Sequence, residues 1–488
     1  MTPYHHSGFD RSLGEALDLH NNGQIDEAIL RYRNLLETTP DNPDLWNLLG
    51  VAAHQKSNNA LAENLISTAI SLNENIAHFH NNLGMVYRGL NRDEDADQAF
   101  RRAIKLDPKH SNALSNLAAL LRQTGEFAAA LDYARQAVSA NPESAEALVN
   151  LGNAEKDSGY LESAVATYRR AISAQHDFAL AHWNLALSLL SLGDMATGFE
   201  EMAWRWKWDK FPGIRRTFPQ PNWNGEDLKG KKVFLHPEQG LGDTIHFMRY
   251  APIVKQLADY VYLELPQAIV PLAQKQVLAD EIINQGDTLP DFDFHAPFMD
   301  LPRILGTTLE TIPADGPYLL VDPKLRQNWH NWKQQYPGTK IGLNWNGNPA
   351  NPAERFRKIP PEDLTPLSDL AGINWFNLQK EEGTNVPNDL SDKFNLIDTG
   401  PSPLQETAAL IMELDLVITT DTAVAHLAGA LGKPVWILLH HAPDWRWLTS
   451  GETNLWYPTA RLFRQSTPGD WQEVIENVIQ ELKILRNN

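Results

Sequence analysis

The chain has 488 residues, which is more than one hydrophobic core usually supports, so we expect two or three domains. Its formal net charge is -19, which argues against a broad nucleic-acid-binding surface because such surfaces need clustered Lys and Arg. The chain contains no cysteine, which excludes disulfides and thiolate metal sites. The first residues lack the pattern of a signal peptide and no run of about 18 apolar residues occurs, so we expect a cytoplasmic protein without a membrane span.

The N-terminal part of the chain repeats with a step of 34 residues, as between Leu49 and Leu83. A Leu-Gly or Leu-Ala pair begins at Leu49, Leu83, Leu117, Leu151 and Leu185, and alanines keep the same step at Ala28, Ala62, Ala96, Ala130 and Ala164. The pattern resembles the tetratricopeptide repeat, which implies stacked helical hairpins forming an all-α superhelix. We place this superhelix at residues 9–203, where a divergent sixth repeat follows five full ones at 9–42, 43–76, 77–110, 111–144 and 145–178.

One column of the repeat carries asparagine just before the Leu-Gly or Leu-Ala pair: Asn82, Asn116, Asn150 and Asn184. A side-chain amide is both donor and acceptor, so a column of amides suits an extended peptide backbone whatever its sequence. Similar asparagines line the groove of the O-GlcNAc transferase repeat domain, and this resemblance implies that the four residues bind an acceptor peptide. The alternative is that asparagine is common at this position and is merely solvated.

The segment 204–230 is rich in tryptophan and proline, including Trp204, Trp206, Trp208 and Trp223. Proline interrupts regular structure, and large rings bury much apolar area. We expect the segment to join the last repeat to the next domain, rather than to bind nucleic acid through its Trp and Arg side chains.

From residue 231, apolar runs of strand length alternate with helix-like stretches. The runs are 233–235, 261–265, 341–345, 373–378, 416–418 and 435–439. This alternation predicts parallel sheets with helices on both faces. The length suits two Rossmann-like halves, at 231–325 and 339–488, with a ligand cleft at the carboxyl ends of their strands.

The sequence EQGLGDTIHF, residues 238–247, predicts a glycine turn from a strand into a helix. Its glycines lack the GxGxxG spacing, so a dinucleotide site is not supported. Asp243 is either a helix cap or a catalytic carboxylate. Glu238, His236 and His295 are rival candidates for a base.

The sequence TTDTAVAH, residues 419–426, places Asp421 or Thr422 as the cap of a second helix. The N-terminus of a helix attracts anions through its free N–H groups and its dipole. We expect the small Ala423 to let a diphosphate approach, and His426 to reach a phosphate or a sugar. The alternative for His426 is a buried structural histidine.

The stretch 345–360 concentrates cations in an otherwise acidic chain, because Arg355, Arg357 and Lys358 follow Asn346 and a loop rich in Asn, Gly and Pro. Such cations neutralise a leaving diphosphate. A solvated charge cluster is the alternative interpretation.

The Gly-Leu-Gly-Asp turn and the Asp-Thr-Ala segment together resemble glycosyltransferase family 9, the heptosyltransferase-like enzymes of the GT-B fold. With the repeats, the arrangement resembles bacterial tetratricopeptide–glycosyltransferase proteins, among them flagellin and other protein O-glycosyltransferases. The resemblance implies an inverting transfer from a nucleotide-sugar donor without a metal or other cofactor, in which Asp243 is the base. It places Asn346, Gln379 and Glu382 with the residues that bind the donor, although the sequence departs from the family pattern at 380–382.

The leading hypothesis is therefore a fold of the α plus α/β class, in which the repeats hold a protein acceptor, flagellin among the candidates, and the GT-B part glycosylates its Ser or Thr. In a second hypothesis the acceptor is a lipopolysaccharide or another surface glycan, and the repeats dock a partner enzyme. In a third, the protein is an inactive scaffold.

Overall fold

The computed structural model describes residues 4–274, 276–351, 353–379, 396–400 and 402–487. The chain divides into two compact units, Met1–Ala181 and His182–Asn488. Each unit has hydrophobic clusters of its own. The domain bounds expected from the sequence remain predictions.

The first unit consists of helices that pair in chain order as hairpins. They are α1 (Tyr4–Asn21), α2 (Ile25–Thr38), α3 (Pro43–Gln55), α4 (Asn59–Leu72), α5 (Ala77–Gly89), α6 (Asp93–Leu106), α7 (Ser111–Thr124), α8 (Phe127–Ala140), α9 (Ala145–Asp157) and α10 (Leu161–Ala174). The repeating alanines are fully buried, as Ala62 and Ala96 are, so two helices approach closely. Gly84 serves the same packing, since a Cβ there would lie 2.5 Å from Cε1 of Phe100.

The turn inside each repeat adopts a left-handed backbone, with φ of 77° at Gly23 and 87° at Gly125. At the equivalent positions without glycine, Ser57 and Asn91 have φ of 60° and 58°. The turn geometry is thus kept even where the residue that favours it is missing.

The second unit begins within α11 (Ala179–Ser191) and continues with α12 (Met195–Met202). The aromatic residues after α12 pack back on α11: the Trp204 ring stacks on His182 at 3.8 Å, and Trp183 contacts Phe211 at 5.4 Å. Among them, Arg205 is fully buried.

Two parallel sheets follow. The first has strand order β3-β2-β1-β4, and its elements are β1 (Lys232–His236), α13 (Leu241–Phe247), α14 (Ala251–Leu257), β2 (Tyr260–Leu265), α15 (Val270–Ala273), β3 (Glu281–Asn284), β4 (Phe294–Pro297) and α16 (Leu301–Ile304). After it comes α17 (Pro323–Lys333).

The second sheet has strand order β6-β5-β7-β8-β9 and is also parallel. Its elements are β5 (Thr339–Asn344), α18 (Glu354–Arg357), α19 (Pro361–Leu364), β6 (Ile373–Asn377), α20 (Leu404–Glu413), β7 (Leu416–Thr420), α21 (Ala423–Ala430), β8 (Val435–Leu439), β9 (Ala460–Arg464) and α22 (Trp471–Asn487). Every residue of β7 and β8 is buried, as expected for a parallel sheet covered on both faces. The predicted fold class, an all-α repeat region followed by two α/β halves, is confirmed.

Candidate active site

The glycine turn after β1 brings the start of α13 against the start of α21. A Cβ on Gly242 would lie 3.0 Å from Cδ2 of His426 and 3.8 Å from Cα of Ala423. These residues come from the two different α/β halves. The two sequence signals that were expected to face one cleft are therefore neighbours in space.

Asp243 is the third residue of α13, and the N-cap position belongs to Gly240, so Asp243 is not the cap of this helix. Its carboxylate accepts a hydrogen bond from Nη2 of Arg446 at 2.6 Å. The Asp243 side chain is 29% exposed, whereas that of Arg446 is only 7% exposed. Burial raises the pKa of Asp243 above its usual range, and the charge of Arg446 opposes this rise.

Thr422 is the N-cap of α21, because its hydroxyl oxygen accepts from the backbone N–H of Val424 at 3.3 Å. The same hydroxyl donates to Oδ1 of Asn344 at the end of β5, at 3.1 Å. Ala423 is the first residue of the helix and is half-buried. The start of α21 is thus tied to the neighbouring strand of the sheet.

Asp421 is buried just before this helix. Burial raises the pKa of its carboxyl to about 6, Asp444 adds to the rise, and Arg357 opposes it. Nη1 of Arg357 donates to the Asp421 carbonyl at 2.8 Å and lies 3.8 Å from its carboxylate. A carboxyl group therefore lies directly before α21, and in its ionised form it repels an anion such as a diphosphate.

Two of the remaining predicted donor-binding residues, Asn346 and Gln379, meet at the end of β5. Oε1 of Gln379 accepts from Nδ2 of Asn344 at 3.0 Å and from the backbone N–H of Asn346 at 3.3 Å. Arg355 and Lys358 are exposed, whereas Arg357 is half-buried and contacts Asp421. Glu382 lies outside the described residues.

His426 belongs to a buried polar cluster that joins the two halves. Its Nδ1 lies 2.9 Å from the Tyr457 hydroxyl, which lies 3.3 Å from Nδ1 of His246. Burial lowers the pKa of His426 well below its usual value, so the ring is neutral. Arg249 of the first half donates to the Trp456 carbonyl of the second at 2.7 Å.

Sequence reasoning missed Arg446, Arg249 and Tyr457. Arg446 and Tyr457 lie in two blocks rich in aromatic residues, PDWRWL (443–448) and WYP (456–458). The sequence feature that could have identified Arg446 is its position between two tryptophans, because an arginine buried among apolar rings needs a charged partner.

The rival bases have structural partners. Glu238 is buried in an ion pair with Nη2 of Arg205 at 3.0 Å, and burial raises its pKa to about 7. Nε2 of His236 lies 3.2 Å from Nδ1 of His295, and burial lowers the pKa of His236 to about 3.

The asparagine column forms hydrogen bonds between successive repeats. Nδ2 of Asn82 donates to Oδ1 of Asn47 at 3.0 Å, Nδ2 of Asn116 to Oδ1 of Asn81 at 2.9 Å, and Nδ2 of Asn150 to Oγ of Ser115 at 2.7 Å. Asn184 lies on α11 and is half-buried. In three of these four half-buried residues, the amide nitrogen is therefore already bonded to the preceding repeat.

Within the described part of the chain, no helix combines the length and the apolar character that crossing a bilayer requires.

Comparison with protein families finds glycosyltransferase family 9 (heptosyltransferase) at residues 378–443, which include β7, α21 and β8. Tetratricopeptide-repeat families match residues 16–57, 57–111, 81–145 and 152–193. The chain thus carries tetratricopeptide repeats in its N-terminal region and a family 9 glycosyltransferase domain in its C-terminal part, as the sequence motifs indicated.

Among curated proteins, the chain is similar to protein FlbA of Caulobacter vibrioides, with 30% identity over 332 residues. The matched region is 62% of this chain and 55% of FlbA. The chain therefore spans about half the length of this relative.

Among solved structures, the chain resembles PilF of Pseudomonas aeruginosa, with 19% identity and a TM-score of 0.36 over 42% of this chain and 92% of PilF. It also resembles a thermophilic tetratricopeptide protein of Thermus thermophilus, with 18% identity and a TM-score of 0.34 over 37% of this chain and 99% of that protein. Likenesses this weak carry no argument about function.

Proposed function

We propose that the protein is an inverting, metal-independent glycosyltransferase that moves a sugar from a nucleotide-sugar donor to a Ser or Thr hydroxyl of a protein acceptor. The strongest support is the position of Asp243, whose carboxylate follows the glycine turn of one half while that turn contacts the start of α21 in the other. A cytoplasmic location goes with this proposal.

In the proposed reaction, the acceptor oxygen attacks the anomeric carbon of the donor from the face opposite the leaving group. The new C–O bond forms as the bond from that carbon to the phosphate oxygen breaks, and the diphosphate leaves with the electron pair. Asp243 takes the hydroxyl proton as general base. A single displacement of this kind inverts the configuration at the anomeric carbon.

The leaving diphosphate needs positive potential, which the free N–H groups at the start of α21 supply around Thr422 and Ala423. In this proposal, Arg355 and Lys358 add charge from the exposed side of the site. Arg357 already neutralises part of the negative charge of Asp421. Binding of a diphosphate beside Asp421 favours the protonated form of that carboxyl, because two like charges repel each other.

His426, Asn346, Gln379 and Glu382 complete the proposed donor site. The amide oxygen of Gln379 holds the loop that begins at Asn346. We therefore assign these two residues to shaping the nucleoside pocket, and we keep Glu382 as a candidate ligand of the ribose.

The acceptor is proposed to bind along the asparagine column. Since Nδ2 of Asn116 and of Asn150 already donates to the preceding repeat, the amide oxygens are the atoms left to accept N–H groups of a peptide. Within the described residues, neither of these two oxygens has a hydrogen-bond partner. Asn184, on α11, is the fourth asparagine in this proposal.

The test is to incubate the chain with a panel of nucleotide sugars and candidate acceptor proteins, flagellin first, and to weigh each acceptor by intact mass spectrometry. We expect a mass gain of one sugar residue that is lost in Asp243→Asn and kept in Asp315→Asn, which changes an exposed aspartate. Transfer to a surface glycan but to no protein would contradict the proposed acceptor. The absence of any transfer would contradict the enzyme.

The role of the repeats has a separate readout. We expect Asn116→Ala combined with Asn150→Ala to raise the KM for the protein acceptor and to leave the KM for the donor unchanged. An unchanged acceptor KM would contradict peptide binding at the column.

A further inference from the structure

One ion pair links the proposed base to the opposite half of the enzyme. Asp243 lies on α13 in the first half, and Arg446 lies in a short helical turn at 445–447 in the second. Nη2 of Arg446 lies 2.6 Å from Oδ1 of Asp243. The contact can exist only while the two halves are together.

Arg446 is held rigidly on its own side of this contact. Its Nη1 donates to Oδ1 of Asp444 at 2.9 Å, and its carbonyl accepts from Nδ2 of Asn454 at 2.8 Å. The guanidinium also lies over the rings of Trp445 and Phe247, at 4.5 and 5.2 Å from their centroids. These contacts orient the guanidinium before any substrate binds, which reduces the entropy lost on forming the ion pair.

We propose that Arg446 is a positioning residue for the transfer reaction, because its guanidinium orients the Asp243 carboxylate and keeps it ionised while the two halves are in contact. This inference rests on the proposed function. In this inference, the ionisation of Asp243 depends on the contact between the halves. If the halves separate, Arg446 moves with the second half and Asp243 loses its counter-charge.

The charges that face Asp243 make this role specific. Arg446 and Asp444 come from the 444–447 segment, Arg357 comes from α18, and His426 of α21 is neutral. Without Arg446, the half-buried carboxylate would lose the cation in contact with it and keep the repulsion of Asp444, which Arg357 would still oppose. Its protonated form, which cannot act as a base, would then be favoured.

Arg446 has a second conceivable task, the binding of the leaving diphosphate. Two of its three guanidinium nitrogens already donate to carboxylates, and the third, Nε, is buried. The Arg446 side chain is only 7% exposed, so its remaining N–H groups offer a donor little access. We therefore assign Arg446 to the base rather than to the donor.

The experiment compares the pH dependence of kcat for the full chain, Arg446→Gln and Arg446→Lys. For Arg446→Gln we expect the acid limb to move to higher pH by about 1–3 units, since an opposite charge in contact lowers a carboxyl pKa by roughly that amount. For Arg446→Lys, which keeps the charge but loses the planar geometry, we expect a smaller shift. The KM for the donor should change less than about twofold in both variants.

Arg461→Gln is the matched control, because Arg461 lies in the same half but pairs with Glu452 and Glu481. Its pH profile should equal that of the wild-type chain. An unshifted acid limb in an active, folded Arg446→Gln would overturn the inference, as would a large rise in the donor KM. Should Arg446→Gln not fold, Arg446→Lys decides in the same way: a lower kcat with a shifted limb supports the inference, and an unchanged profile overturns it.

A double-mutant cycle of thermal unfolding over Asp243→Asn and Arg446→Gln tests the ion pair without any activity. Additive effects would overturn the inference even in an active enzyme. A wild-type chain that transfers no sugar would contradict the proposed function and remove the catalytic role with it, whether or not the cycle shows coupling. The two failures are therefore distinguishable.

Discussion

Gly242 packs so closely on His426 that an added methyl group would require the ring to move by a few tenths of an ångström. A Cβ at this position would lie 3.0 Å from the ring of His426, and that ring is held by Tyr457 and lies against Trp447. Gly240, two residues earlier, has nothing within 4 Å of the same added atom. Of the two glycines in this motif, Gly242 is therefore needed for close packing, whereas Gly240 has space for a side chain.

We expect Gly242→Ala to separate the starts of α13 and α21, to lower the stability by about 1–3 kcal/mol and to reduce transfer. Gly240→Ala is the control and should leave both nearly unchanged, since its backbone angle φ is -68°. Thermal unfolding and transfer by intact mass measure the two effects. Equal behaviour of the two variants would contradict the close packing at Gly242.

At the level of elements, the carboxylate of Glu413 links the end of α20 to α17. Glu413 is buried, and it accepts from Nε of Arg326 at 2.7 Å and pairs with Nζ of Lys333 at 2.6 Å and Nδ1 of His330 at 3.0 Å. Burial acts to raise the pKa of Glu413, but the hydrogen bonds from these three partners outweigh it and lower the pKa to about 2.

A carboxyl whose pKa is lowered on folding adds stability above its unfolded pKa and loses that stability as the pH falls through its folded pKa. For Glu413 this window runs from 4.5 down to about 2. We expect Glu413→Gln to cost at most about 3 kcal/mol at neutral pH, and the difference from the wild-type chain to shrink as the pH falls through the window. Denaturant unfolding at several pH values measures it, and a difference independent of pH would contradict the assignment.

The asparagine column shows what an element-level pattern leaves open. The 34-residue step predicted that these residues share one column, because a helical repeat places equivalent residues in equivalent positions. It could not show that three of the four amides would donate to the residue 35 positions earlier in the preceding repeat. That pairing depends on how neighbouring repeats stack.

At the level of the whole molecule, the chain has two compact units with separate hydrophobic clusters. We expect scanning calorimetry to show more than one thermal transition, since units with separate cores unfold with limited cooperativity. In Gly152→Ala, the added Cβ would lie 2.5 Å from Cε1 of Tyr168, so this variant should lower the midpoint temperature of a transition of the first unit. Gly242→Ala should lower the midpoint temperature of a transition of the second unit.

One cooperative transition that both variants shift equally would contradict independent unfolding of the units.

The sequence by itself determined the features that depend on local periodicity. Small residues 34 apart specified the hairpins, buried apolar runs specified the strands, and the turn at Gly242 together with the segment at Asp421 indicated the family 9 domain. The tertiary structure alone decided which side chains meet. Arg446 reaches Asp243 across 203 residues of chain, and Tyr457 reaches His426 only because two halves pack together. Spacing along a chain governs which residues share a helix or a strand, whereas contacts between elements depend on how those elements pack, which no local pattern records.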